Sequence, residues 1–389
     1  MLLQSLANTA SIAPIFEQHV NGTGYTPKML MAGFNAMFSH WNDKELSSFI
    51  LNEIPGFSPN HIDDFLNIDL DISQRKALLN HTCSQKLFLI TASTVPSAAF
   101  QDILLTLLLP IHIVHRPSHT QADFFHAIHA WLMQHAPQMA ERWELMEPTY
   151  DDQILSDCMA SCDAVNISAS QKTIEHFRIL RDALPQTMKP LKWIEHGHKI
   201  SAIVLFEDDI QTLTETDYKA IAWDASIWDQ TGCLSPKCIY MTCSHEDARS
   251  FAQKLLSALD QVANELPEIQ PSIAALVMRN SALLMAQLKG AAILTGNKNH
   301  DCIVIHTDIA DPILLPRMLN LYPIQNIEQI HMHLAPYGQT LASKKMLTPE
   351  EKNLFSKAGF NVFSKLGQMQ NPPLTWFHDN VGTLRPYFN

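Results

Sequence analysis

Apolar positions along the chain repeat first at helical spacing and then as short runs. In the N-terminal part Leu30, Phe34, Met37 and Trp41 recur every three or four residues behind Thr26 and Pro27, a capping residue and a first-turn proline, which predicts a helix. Asp43 is expected to cap the next one. From residue 87 the pattern changes: LFLIT predicts a strand, 97–109 a helix, and IHIVH at 111–115 a second strand. Residues 121–146 read as helix broken at Pro137, followed by a helix at 153–161, strand AVNI at 164–167 and a helix at 171–183. Strands KWI at 192–194 and AIVLF at 202–206 extend the series. Residues 87–206 therefore read as one open parallel α/β unit, with ligands expected at the carboxyl ends of its strands.

A second unit is expected from residue 216. Helical DYKAIAWDASIW leads into a tight QTGC turn and strand CIYMTC. Ser244 then caps a long helix whose buried face is Phe251, Leu255, Leu256, Leu259 and Val262. A helix at 272–289, strand CIVIH at 302–306 and strand IHMHLA at 330–335 complete it. Thr348 to Glu351 is a capping box, the helix it opens stops at Gly359, and FNVFS reads as a late strand.

Composition narrows what such a chain does. With 389 residues, 46% of them apolar and 17% charged, it can offset chain entropy and build two or three domains. A net charge of −12 without any basic run argues against nucleic acid and anionic membranes as partners. The longest apolar stretch, AAFQDILLTLLLPIHIV, is interrupted by Gln101, Asp102 and Pro110, so no membrane span is expected. MLLQSLANTASIA has no Lys or Arg ahead of its apolar part and does not read as a secretory signal. Seven cysteines with no CxxC spacing indicate neither a disulfide framework nor a zinc ribbon, and the expected location is the cytoplasm. The 12 glycines leave a gap from Gly56 to Gly197, which excludes a GxGxxG turn or P-loop there, since both bring bare backbone against phosphate.

Cys233, in IWDQTGCLSP, follows Gly232 at an expected turn and is either an exposed nucleophile or, like most cysteines, a small core residue. Cys238 and Cys243 fall inside the expected strand. His196 and His198 form an i, i+2 pair without a third ligand, a weak metal signal, and no metal is expected.

The segment DASIWDQTGCLSP resembles the cysteine segment of the LuxC-type acyl-CoA reductases of bacterial bioluminescence, within the aldehyde dehydrogenase superfamily. Asp224, Asp229, Gln230, Cys233, Leu234, Ser235 and Pro236 match its pattern D-x-x-x-x-D-Q-x-x-C-L-S-P. GQMQNPPLTWFHDN resembles the family's terminal G-x-M-Q-x-P-P-L-x-W-x-H-D-G, with Asn380 where glycine is usual. EHGHKIS, TASTVPSAAF and IVHRPS resemble further superfamily segments, and the likeness covers roughly residues 25–389.

That resemblance implies an aldehyde dehydrogenase-like α/β fold with a Rossmann-type cofactor domain (1–215), an α/β catalytic domain (216–345) and a C-terminal segment (346–389) returning to the first. It implies reduction of a fatty acyl thioester to an aldehyde with NADPH, through an acyl-enzyme on Cys233. The acyl donor would be acyl-CoA or an acyl carrier protein; an acyl-protein synthetase or another synthase subunit, and further copies of the chain, are the implied protein partners. Glu195 occupies the general-base position of the aldehyde dehydrogenases, a carboxylate the reductases commonly lack; it either relays a proton or is a surface residue at a strand. Thr94 stands where the family has an oxyanion-holding asparagine, and Arg116 where a lysine usually contacts the adenine ribose, with Ser118 beside it. Ser168, Ala169 and Ser170 replace a glycine-serine turn, the serines able to cap a helix and meet a pyrophosphate. His378 either transfers protons or fixes a closing loop, and Trp376 packs on an acyl tunnel or on core. The departures leave a rival open: a degenerate member that binds or transfers acyl groups without redox chemistry.

Overall fold

The computed structural model describes residues 3–20, 22–185 and 190–389. The chain divides into two compact units, Met1–Pro27 with Phe34–His198 and Pro373–Asn389, and Lys28–Gly33 with Lys199–Pro372.

The first unit holds a five-stranded sheet of β1 (Lys86–Ile90), β2 (His112–Arg116), β3 (Trp143–Leu145), β4 (Ala164–Ser168) and β5 (Lys192–His196), ordered β3-β2-β1-β4-β5. Every pairing is parallel. Helices cover both faces of such a sheet, which is why its strands are apolar runs rather than alternating ones. Phe88, Val165 and Ile167 are fully buried against Met159, Ile174 and Phe177, each contributing roughly 1.5–3 kcal/mol of burial. The chain runs outward from β1 to β3 and returns to β4 on the other side of β1, so the reversal of strand order at which such sheets take ligands falls between the ends of β1 and β4. The last residues close the unit: Leu384 and Arg385 donate backbone N–H to Glu53 at 2.8 and 2.9 Å, and Asn166 donates to the Tyr387 hydroxyl at 3.0 Å.

The second unit holds β6 (Ile200–Leu205), β7 (Pro236–Met241), β8 (Ala292–Thr295), β9 (Cys302–Ile305), β10 (Met318–Pro323), β11 (Gly338–Ser343) and β12 (Val362–Lys365), ordered β12-β11-β6-β7-β10-β9-β8. Only the β8–β9 pair is antiparallel. Ser244 caps helix His245–Val262 through Asp247 N–H, and the expected face of Phe251, Leu255, Leu256, Leu259 and Val262 is buried. Thr348 and Glu351 form the reciprocal capping box, and Gly359 takes φ +97° beyond that helix.

Several sequence expectations differ from this arrangement. AIVLF does not extend the first sheet: β6 pairs with β7 and β11, which moves the unit boundary to residue 198, ahead of residue 216. The C-terminal return likewise begins at Pro373 rather than at 346. IHMHLA is not a strand: all but its last residue lies in helix Glu328–Leu334, where Ile330 and Leu334, four apart, share the buried face. Asn42 rather than Asp43 caps helix Asp43–Glu53, accepting from Glu45 N at 3.1 Å. GQTLAS carries no apolar run that would mark a strand, yet all six residues of β11 are buried, between β6 and β12.

Candidate active site

In the first unit the expected residues gather at the carboxyl edge of the sheet. Arg116 ends β2 in register with Ile90, Ile90 with Ile167, and Ile167 with Glu195, so one row crosses four strands. Thr94 follows β1 in a loop whose carbonyls are held, Ser93 O by Gln121 Nε2 at 2.7 Å and Thr94 O by the Tyr25 hydroxyl. Ser168 ends β4, and Ser170 caps helix Gln171–Asp182 by accepting Thr173 N at 3.3 Å. Ser118 follows β2, its hydroxyl 3.2 Å from that of Thr120.

This edge suits a dinucleotide. The strand order reverses along it, and Ser168-Ala169-Ser170 offers small side chains where a helix N-terminus opens onto it. Arg116 spends Nε and Nη2 on the Thr149 carbonyl, at 3.3 and 2.7 Å, and lies 5.7 Å from the Tyr150 ring centroid. Burial lowers its pKa from the usual arginine value, yet an arginine stays charged at neutral pH.

Strand alternation separates two adjacent residues that the sequence invited us to group. Glu195 turns toward helix Gln171–Asp182, and its carboxylate is held by Arg178 of that helix and by Trp193 two residues back on β5, the Trp193 Nε1 bond being 2.7 Å. The hydrogen bond from Arg178 holds its carboxyl below the usual glutamate range. His196 turns the other way and meets the C-terminal motif: its Nδ1 is 3.0 Å from Asp379 Oδ2, and its ring stacks on that of His378 with centroids 4.1 Å apart and planes 6° apart. Trp376 flanks His378 at 5.2 Å. The candidate ligand atoms of His196, His378 and Asp379 lie within 4.8 Å of one another. The parallel rings, however, aim their in-plane lone pairs along parallel planes, a poor geometry for converging on one ion. His196 and Asp379 were not singled out from sequence as partners; they lie 183 positions apart.

Cys233 belongs to the second unit, on a turn closed by Ser235 N–H to Gly232 O at 3.2 Å. The turn is prepared by three consecutive non-glycine residues in the left-handed region, Trp228, Asp229 and Gln230, at φ 57°, 48° and 63°. Each costs on the order of 1–2 kcal/mol, so the surroundings must hold them. Arg317, fully buried, grips Asp229 at 2.7 Å and reaches Asp301 at 3.5 Å. Gln230 Nε2 donates to Pro236 O at 2.8 Å. The Trp228 indole packs where only a glycine fits, since a Cβ on Gly33 would lie 1.9 Å from Trp228 Cζ2. Ser201 Oγ donates to the Cys233 carbonyl at 2.6 Å and fixes the backbone at the sulfur-bearing residue. Among the other thiols only Cys238 and Cys302 are buried as whole residues, the rest being half-buried like Cys233, and desolvation pushes Cys238 and Cys243 up to about 12 and Cys83 and Cys302 up to about 11.

The two motifs meet here. The Asp224 carboxylate accepts N–H from Gly367 and Met369, while Gln370 Nε2 reaches Asp224 O and Ser235 Oγ at 3.2 and 3.3 Å. The polar residues of both motifs thus form the scaffold around Cys233.

Solved structures resemble the whole fold at low identity. The chain matches an oxidoreductase from Marinobacter aquaeolei with a TM-score of 0.68 at 10% identity, covering 100% of this chain and 82% of that one. It matches an indole-3-acetaldehyde dehydrogenase in complex with NAD+ with a TM-score of 0.64 at 13% identity, covering 100% and 86%. For the bifunctional proline utilization A protein the TM-score is 0.60 at 13% identity, and the match covers 98% of this chain but 41% of that one. The fold is that of the aldehyde dehydrogenases. No curated protein sequence matches the chain. Among the described residues no helix is long and apolar enough to cross a membrane. The profile of the family described as acyl-CoA reductase (LuxC) matches residues 4–387, and the chain belongs to that family.

Proposed function

We propose that the protein reduces a fatty acyl thioester to an aldehyde through a Cys233 acyl-enzyme, with NADPH as reductant. The observation that carries this reading is the Cys233 turn: a half-buried thiol on a strained, multiply held loop, in a chain of the acyl-CoA reductase family. The Cys233 thiolate attacks the carbonyl carbon of the acyl thioester, the carbon–sulfur bond to the donor breaks, and the donor thiol departs with a proton. A reduced nicotinamide, when bound, would supply hydride to the acyl carbon. Cys233 is then the leaving group: its bond to carbon breaks, the sulfur regains the electron pair, and the carbonyl of the aldehyde forms.

The remaining residues are given parts in the same proposal. Arg116 has Nη1 left for a 2′-phosphate once Thr149 is satisfied. Ser118, Ser168 and Ser170 are assigned to the cofactor, Ser170 capping a helix whose N-terminus favours a pyrophosphate. Thr94 offers a hydroxyl to the developing oxyanion. His378, stacked on His196 beside Asp379, is assigned to hold the proton that accompanies thiol departure. Glu195, paired with Arg178, ties helix to strand, and a reductase has no water to activate with it.

Absorbance at 340 nm tests this reading. NADPH with a fatty acyl-CoA should give stoichiometric loss of NADPH and an aldehyde trapped as its hydrazone. Transfer of the acyl group with no loss of NADPH would favour the non-redox alternative.

A further inference from the structure

Two long helices of the second unit treat solvent in opposite ways. Helix His245–Val262 buries Phe251, Leu255 and Leu259 and turns Glu246, Asp247, Arg249 and Lys254 outward, as a surface helix should. In helix Ile273–Leu288 only Ala286 is buried as a whole residue, while Ile273, Val277, Met278, Leu284, Met285 and Leu288 are 55–82% exposed. At 3.6 residues per turn these six fall within an arc of about 140°. The other side of the helix is already taken. Ala282, Leu283 and Ala286 pack with Cys302, Val304 and Met318 of the sheet, and Arg279, the one charged residue of the helix, donates to the carbonyls of Pro316 and Arg317 at 2.7 and 3.3 Å. The helix therefore cannot turn its apolar stripe inward.

We propose that helix Ile273–Leu288 is the twofold contact of a homodimer, crossing its counterpart antiparallel at Ser281. Three features fit the stripe to a second copy of the chain. It exposes on the order of 700 Å², above the ~300–600 Å² of the largest apolar patch on a typical monomer and close to the ~800 Å² that each partner of a standard-size interface covers. It carries no charge, so two chains of net charge −12 meet there without like-charge repulsion across the contact. Its order is also nearly palindromic about the small, exposed Ser281: Met278 and Leu284 lie three positions to either side, Val277 and Met285 four, Ile273 and Leu288 eight and seven. Where two copies of a helix cross antiparallel on a twofold axis, a residue before the crossing point meets the one equally far beyond it on the other copy. Met278 then meets Leu284 of the partner subunit, Val277 meets Met285 of the partner subunit, and the two serines let the backbones approach. This contact is independent of the reaction proposed above.

Sedimentation velocity and a cysteine cross-link test this on the whole chain. The wild type should sediment as a dimer. Leu284→Glu, at an exposed position, should keep the wild-type circular dichroism and weaken dimerisation by about a hundredfold or more, because a twofold contact receives the new carboxylate twice. Lys254→Glu, on the charged face of helix His245–Val262, should leave the dimer intact. Ser281→Cys should form an intermolecular disulfide on mild oxidation, mapped by peptide analysis to position 281 of both chains, since a disulfide needs Cα atoms within about 7 Å of each other. A wild type that stays monomeric at about 100 µM, above the dissociation constant of a standard-size interface, overturns the proposal and leaves the stripe to a different partner. A Leu284→Glu protein as dimeric as the wild type, or a Ser281→Cys dimer that forms no such bridge, overturns it as well by placing the dimer contact on another face; the wild-type and Ser281→Cys results do not depend on how the glutamate variant folds.

Discussion

The carboxylate of Asp224 accepts the backbone N–H of Gly367 at 2.6 Å, and this bond joins the segment that leads to Cys233 to a turn 143 positions away. Met369 N–H adds a second bond at 3.1 Å. Asp224 is fully buried, no cation among the described residues forms an ion pair with it, and burial pushes its carboxyl up to about 8. The folded chain therefore holds this proton over a pH range where the unfolded chain, near 3.9, has released it. Its contribution to stability is complete below about pH 4 and is lost as pH rises through about 8. The melting temperature should carry that downward slope, and Asp224→Asn should flatten it. Asp224→Ala, which orphans two N–H groups, should cost about 1–3 kcal/mol at any pH in a denaturant titration.

Gly33→Ala tests the packing under the cysteine turn. In an exposed helix this change would add up to about 1 kcal/mol of stability. Here the new Cβ would fall 1.9 Å from the Trp228 ring, so the variant should lose about 1–3 kcal/mol through displacement of Trp228. Equal or greater stability by thermal unfolding would show that the Trp228 turn gives way freely.

How much of this was legible beforehand depends on whether the signal was local. Caps at Ser244 and Thr348 and the face of Phe251 to Val262 were readable, because a cap or a helical stripe is written within a few residues. The sheet to which β6 belongs was not, since AIVLF would suit either sheet and its partners lie at Pro236–Met241 and Gly338–Ser343. The same limit governed the site. Cys233 and His378 stood out by motif, whereas the pairing of His196 with Asp379, and of Arg317 with Asp229, needs strand direction and long-range register. Glu195 illustrates the reverse: its position in sequence suggested a base, but one residue of alternation sends it to Arg178 instead.

Arg116→Ala should weaken NADPH binding by about ten- to a hundredfold while changing NADH little, because only the 2′-phosphate forms the charge-assisted bond. Isothermal titration with both cofactors checks it. Equal weakening of both would mean that Arg116 acts through the Thr149 loop it also holds.

Thr94→Asn should raise turnover, since the longer amide reaches further than a hydroxyl and an oxyanion donor contributes about 10²–10³ in rate. Steady-state kinetics that show a lower kcat would mean that the loop held by Tyr25 and Gln121 is shaped for threonine.

Acyl transfer to Cys233 is the most direct measurement of the whole account. Incubated with radiolabelled fatty acyl-CoA and no nicotinamide, the wild type should retain about one acyl group per chain on the peptide containing Cys233. Adding NADPH should release that label as aldehyde. Cys233→Ser should take up no label, while Cys238→Ser and Cys243→Ser should label like the wild type. Full labelling of Cys233→Ser, or label on the wild type that NADPH does not release, would contradict a cysteine acyl-enzyme reduced in place.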